Sequence, residues 1–173
     1  MIDFYKEKIN KELFTDEIIN YLEEIYSQVD DTNNYPLSKG NAKSTHNVIK
    51  KLYKNPIFNH IMEEITKHID NYKKIYNYNE NLIIKNLWSN MNMKGGYTDI
   101  HDHRNINGLA GVVYIEMYND QMGNFFIIDK DIETEIIVRS YDIILFPSKI
   151  QHGTRENLTD FRRLVLGVDI EVV

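Results

Sequence analysis

A change of period at residue 82 constrains this chain more than any other feature. Before it, apolar residues recur at helical spacing; after it, they alternate or run in short blocks divided by Gly, Asn and Asp. Residues 82–91, 108–116, 123–128, 133–138, 142–147 and 163–170 read as strands. Short strands at this spacing suggest a sandwich or barrel. With 173 residues one domain is expected, with a helical support region over 1–80 and a β core over 82–173.

In the helical part, residues 3–12 and 15–29 are expected as two short helices. Thr15 would cap the second, with Asp16 and Glu17 in its first turn, where carboxylates suit the helix dipole. Ile18, Ile19, Leu22, Ile25 and Tyr26 form its core stripe. Residues 30–43 are rich in turn formers and read as a long loop able to cover the mouth of a site. A third helix is expected from Ser44 or Thr45 to Lys54, restarting at Asn55-Pro56 and running to residue 75, with Ile57, Ile61, Ile65 and Ile69 on one face. His46, His60 and His68 lie in these helices and read as solvated or capping residues. Residues 76–81 form a polar turn.

The chemistry-bearing residues lie in the β region. His101 and His103, at i and i+2, share a face if their segment is a strand. His152 returns from a later strand after Phe146-Pro147-Ser148. Neutral imidazoles converging from separate strands suit a divalent transition metal. On the last strand Arg163, Val165, Gly167 and Asp169 share one face. An arginine directed inward there needs a partner, and a ligand carboxylate is the obvious one. The competing readings are a surface turn at the histidines and pairing of Arg163 with Glu156 or Asp160. The formal net charge of −6 argues against a dominant nucleic-acid role. The absence of cysteine removes thiolate ligands and nucleophiles and fits a reducing cytoplasm. Residues 1–8 mix acid and base and do not read as a signal peptide, and no run reaches the roughly 18 apolar residues of a membrane span. A homodimer is left open, with no exposed apolar stripe to mark its interface.

His101-Asp102-His103, Ala110-Gly111-Val112-Val113-Tyr114, Gly123-Asn124-Phe125-Phe126, Phe146-Pro147-Ser148 to His152, and Arg163 through Asp169 together resemble, in order and spacing, the iron(II)- and 2-oxoglutarate-dependent oxygenases. The short prolyl-hydroxylase-like members of bacteria and phages look most similar. The likeness covers roughly residues 84–170 and not the helical part. It implies a double-stranded β-helix (jelly-roll, cupin-like) core with N-terminal helices packed on the sheet. It further implies iron(II) on His101, His103 and His152, with 2-oxoglutarate and O2 as cosubstrates. The outcome would be hydroxylation of a C–H bond with release of succinate and CO2. Arg163 would meet the far carboxylate of the oxo acid, with Arg162 as competitor. Tyr97 and Tyr114 would hydrogen-bond the cosubstrate, with Ser148 and Asn105 as further candidates. A small molecule or peptide would be the substrate. The departure is the middle ligand: the superfamily places a carboxylate there, so His103 and Asp102 both stand open. The alternatives are a three-histidine cupin-type metal enzyme that needs no oxo acid, and a non-catalytic metal- or ligand-binding β-barrel.

Overall fold

The computed structural model describes residues 2–173. In chain order its elements are β1 (Tyr5–Lys8), α1 (Asp16–Tyr26), β2 (Ser38–Lys39), β3 (Ala42–Ser44), α2 (Asn59–Tyr76), β4 (Leu82–Asn92), β5 (Tyr97–Thr98), β6 (Gly108–Glu116), β7 (Phe125–Asp129), β8 (Ile132–Ile136), β9 (Asp142–Pro147), β10 (Gln151–Thr154) and β11 (Arg163–Val172).

A six-stranded antiparallel sheet, ordered β1-β9-β6-β11-β4-β3, forms one layer. A smaller layer faces it: β10-β7-β8 is joined to β2-β5 by the antiparallel bridge between His101 and His152. The two helices cover the outer face of the large sheet. The alternation of β11 shows how one sequence serves both sides. Leu164, Leu166, Val168 and Ile170 pack with Leu22, Ile61, Ile65 and Tyr72 of the helices. Val165, on the other face, joins Ala110, Tyr114, Phe125 and Phe146 between the sheets. A strand buried on both faces reads as a nearly unbroken apolar run, as this one does. The architecture is the expected one, mainly β with supporting helices.

The second helical start behaves as its residues require. The Asn55 side chain accepts from the Ile57 amide at 3.2 Å and Pro56 opens a 3-10 turn that leads into α2. The helix closes at Asn77 in the left-handed region, φ 52°, after Lys73 and Lys74. Helix α1 spans the expected stripe with Thr15 at its cap position, although the Thr15 hydroxyl makes no capping bond.

Three expectations upstream fail. Residues 5–8 are an edge strand on β9 rather than helix. Tyr5 and Ile9 are both buried, and a spacing of four satisfies a period of 2 as well as one of 3.6. Lys6 and Lys8 then ion-pair with buried Asp142, at 3.3 and 2.6 Å, which holds the strand in register. Residues 44–54 are not an α-helix. Thr45 donates to the Ile49 carbonyl and accepts from the Ser89 amide, so its side chain ties the segment to β4 and competes with helix formation. Only Leu52–Lys54 make a 3-10 turn. The 30–43 loop carries β2 and β3, pinned by Asn34, whose side chain bonds the Ala42 carbonyl and the Ser44 amide. His46 therefore lies outside any helix. His60 is exposed beside Glu63, and His68 is buried against the Tyr5 hydroxyl, 2.7 Å away.

Candidate metal centre

His101 and His103 reach the pocket between the sheets from the chain that continues β5. The backbones of His101 and His152 exchange N–H···O bonds of 3.0 and 2.8 Å, and the His103 amide donates to Ser148 at 2.8 Å. His101 is thus a bridge residue and His103 is tied by a single backbone bond beyond it, and the two side chains enter the same pocket. His101, His103 and His152 each offer a ligand atom within 4.8 Å of the others.

The hydrogen bonds fix which nitrogen that is. Nδ1 of His101 lies 2.8 Å from the Asp99 carbonyl and that of His152 lies 2.9 Å from the Ile150 carbonyl. A carbonyl oxygen only accepts, so each Nδ1 carries the proton and each Nε2 keeps its lone pair. Nδ1 of His103 is 2.6 Å from the Asp169 carboxylate, so it too carries a proton, and Nε2 is the nitrogen left to offer a metal. Burial pushes the His101 imidazolium down to about 4, and burial together with the neighbouring histidines pushes His152 well below its ordinary value. Both are neutral, as a metal ligand must be.

Asp102 does not enter this cluster. Its carboxylate is gripped by the Arg104 guanidinium, whose hydrogen bonds hold it down at about 2. Asp169 comes in its place, one residue removed from the pocket. Burial works to raise its carboxyl, but the hydrogen bonds from His103 and Asn86 leave it below the usual carboxylate value.

At the other end of the same pocket lies Arg163, 1% exposed. Its Nη1 donates to the carbonyls of Met122 (2.7 Å), Gly123 and Arg155 (3.1 Å), and its Nη2 donates to the Thr154 hydroxyl at 2.7 Å. Neither Glu156 nor Asp160 pairs with it; Asp160 is taken by Lys94. Burial pushes the guanidinium down to about 10. Arg162 points the other way and pairs with Glu116 and Glu23, 2.6 and 2.5 Å away. Three polar atoms of the pocket lack a partner: Tyr114 Oη, Asn92 Nδ2 and Asn90 Oδ1. Buried polar atoms without partners are rare and costly, so the pocket is built for a polar guest.

Some expected contributors lie elsewhere. Tyr97 faces an outer groove with Asp99, Phe126 and Glu156, because strand alternation sends Thr98 into the pocket instead. Ser148 spends its hydroxyl on the Ile106 carbonyl at 2.6 Å, and Asn105 is exposed on a turn. The residues that were missed had a signal: Asn86, Trp88, Asn90 and Asn92 occupy alternate positions of β4, and three asparagines on the inward face of a buried strand are out of place in a plain core.

No family model matches the sequence, and no curated protein matches it. Solved structures do match. A prolyl-4-hydroxylase from Pseudomonas putida superimposes with a TM-score of 0.71 at 9% identity, covering 99% of this chain and 94% of that one. HygX from Streptomyces hygroscopicus, with nickel and 2-oxoglutarate bound, gives 0.65 at 13% identity over 99% and 84%. A prolyl hydroxylase from Trichoplax adhaerens, in complex with a hypoxia inducible factor oxygen degradation domain peptide fragment, gives 0.66 at 13% over 98% and 84%. At these identities the likeness is one of fold: the chain has the double-stranded β-helix fold of the 2-oxoglutarate-dependent oxygenases.

Proposed function

We propose that this protein is an iron(II)- and 2-oxoglutarate-dependent oxygenase that hydroxylates a C–H bond of a small molecule or peptide. One observation carries the reading: a buried arginine without a carboxylate partner shares a pocket with three histidines whose Nδ1 atoms are engaged and whose Nε2 atoms are left for a metal. Such a pocket wants a divalent cation at one end and a carboxylate at the other. A 2-oxo dicarboxylic acid has the matching chemistry at both ends.

In this reading His101, His103 and His152 hold the metal, and their Nδ1 hydrogen bonds keep the rings oriented. Arg163 grips the far carboxylate, while Tyr114 and Asn92 donate the hydrogen bonds they otherwise lack. Thr154, which accepts from both Arg163 and the Thr98 amide, ties the anchor to the histidine-bearing strand. The packed sheets exclude water from the reacting centre. When bound, iron(II) with 2-oxoglutarate and O2 supplies the oxidising power, and succinate and CO2 leave. Residues 1–173 act as one domain, with the helices as buttress. The absence of cysteines supports a cytoplasmic setting, and the net charge of −6 supports a substrate other than nucleic acid. No helix of the described residues is long and apolar enough to cross a membrane.

Anaerobic titration with iron(II) and 2-oxoglutarate tests this. The wild type should develop the weak visible charge-transfer band of a metal-bound oxo acid, and His152→Ala should not. No band in the wild type would sink the reading. A second reading, a three-histidine metal enzyme without an oxo acid, is favoured by the lack of a carboxylate among the three converging ligands. It requires metal-dependent turnover that is indifferent to Arg163→Ala.

A further inference from the structure

Resting on the metal reading above, we propose that Asp169 supplies, through the imidazole of His103, the negative charge that a two-histidine-one-carboxylate centre receives from a directly bound carboxylate. His103 and Asp169 form one anionic unit, and Asp169 is its positioning residue.

Four observations lead there. First, the position for a carboxylate in the histidine segment is filled by His103, and the adjacent Asp102 is committed to Arg104 at the surface. Secondly, the three histidines are not held alike. His101 and His152 are bonded to neutral carbonyls at 2.8 and 2.9 Å, but His103 to a carboxylate at 2.6 Å. A charge-assisted hydrogen bond to an ionised acceptor is shorter and stronger, and it makes the opposite nitrogen a better donor to a metal.

Thirdly, Asp169 is 4% exposed and lacks a cation of its own. Its second oxygen accepts from the Asn86 amide at 2.7 Å, and no lysine or arginine among the described residues pairs with it. Two further titratable rings stand beside the cluster: His46, edge-on to Trp88, and Tyr35, packed on His46 at 4.3 Å between centroids. A buried carboxylate with no lysine or arginine beside it is an expensive arrangement unless another cation completes it. At the opposite end of the pocket Arg163 presents the reverse problem, a buried cation facing no anion. The pocket is therefore charged at both ends with opposite signs, negative behind His103 and positive at Arg163, which orients a metal and an anion within it.

Fourthly, the fold makes room for the contact. Asp169 stands opposite Asn86 on β4 and Ala110 on β6, and the β4–β11 register shifts just after it. Ala110, the small residue across from Asp169, lines the same pocket as His103, while Trp88 packs against the His103 ring at 6.0 Å between centroids. His103 is thus held by an acceptor at Nδ1 and an aromatic wall beside it.

Cobalt(II), titrated anaerobically into the metal-free protein and followed by absorption and calorimetry, tests the proposal without turnover. Asp169→Asn keeps the shape and an acceptor while removing the charge. It should weaken cobalt(II) binding by about 10- to 100-fold, with the metal-free melting temperature near that of the wild type. Combining it with His103→Asp, which puts a carboxylate on the metal directly, should recover most of the loss. A wild type that binds cobalt(II) alongside an Asp169→Asn variant of equal affinity and spectrum would overturn this inference and leave the metal site standing. A wild type that binds no cobalt(II) would overturn both. Should Asp169→Asn not fold in chelator, the double variant decides: affinity close to wild type supports the proposal, and a loss of tenfold or more overturns it.

Discussion

Asn92 lies directly across β4–β11 from Arg163, and its amide nitrogen is buried with nothing to donate to. That pairing makes an unusual prediction at the scale of one residue. In the free protein the amide is a liability, so Asn92→Ala should leave the unfolding free energy unchanged or slightly raised. In the proposed complex with the oxo acid it would donate to a carboxylate, a bond worth about 1.5–3 kcal/mol. The dissociation constant for 2-oxoglutarate should therefore rise by about tenfold or more. Urea denaturation and ligand titration of the same variant check the two signs. A parallel loss of stability and affinity would mean that Asn92 is structural. Asp102 and Asp169 teach the same lesson from the acidic side. The first adjoins the histidines in sequence and is spent on Arg104; the second lies 66 residues from His103 and holds its ring.

Among the elements, the turn before β7 determines where Arg163 sits. Gly123 has φ +87°, and a Cβ there would lie 2.1 Å from the Arg155 carbonyl and 2.5 Å from Arg163 Nη1. Its own carbonyl accepts from Arg163. Gly123→Ala should thus cost roughly 1–3 kcal/mol in backbone strain and push the guanidinium from its cradle, so 2-oxoglutarate binding weakens together with stability. An alanine variant that matches the wild type in both titrations would show the turn to be indifferent. What the sequence revealed at this scale follows from period. From residue 82 onward the strands were legible because buried faces force alternation or unbroken apolar runs, and the three histidines came together because two of them sit at i and i+2 on such a strand. The errors fall where that signal is ambiguous. Tyr5 and Ile9 are four apart and fit either period. Residues 44–54 look helical until the hydroxyl of Thr45 finds β4, a contact no local pattern announces. Tyr97 and Thr98 differ by one position, and one position decides which of them meets the pocket. The inward asparagines of β4 were visible in the sequence, but only the register with β11 sets Asn86 against Asp169, to which it donates, and Asn92 against Arg163, with which it makes no bond.

At the scale of the whole molecule, the interior keeps several imidazoles neutral, and that sets how the fold responds to acid. Burial lowers the pKa of His46, His68, His101 and His152, the His101 value to about 4. In the unfolded chain each titrates near its ordinary value of about 6.5. Below that pH the unfolded state binds protons that the folded state refuses, so stability falls as pH drops from about 6.5 toward 4 and is fully present above that window. The carboxylates act elsewhere: Asp102, held at about 2, gives up its contribution only below about pH 4. Two of the four imidazoles line the pocket, and a bound divalent cation would stabilise the folded state by mass action at neutral pH while competing with protons in acid. In chelator, the urea midpoint should therefore be level between pH 8 and 7 and decline steadily from pH 6.5 to 5. Added cobalt(II) should raise it at pH 7.5, and the rise should shrink as the pH approaches 5. A metal-free midpoint that stays flat down to pH 5 would mean that these rings are free to protonate in the folded protein.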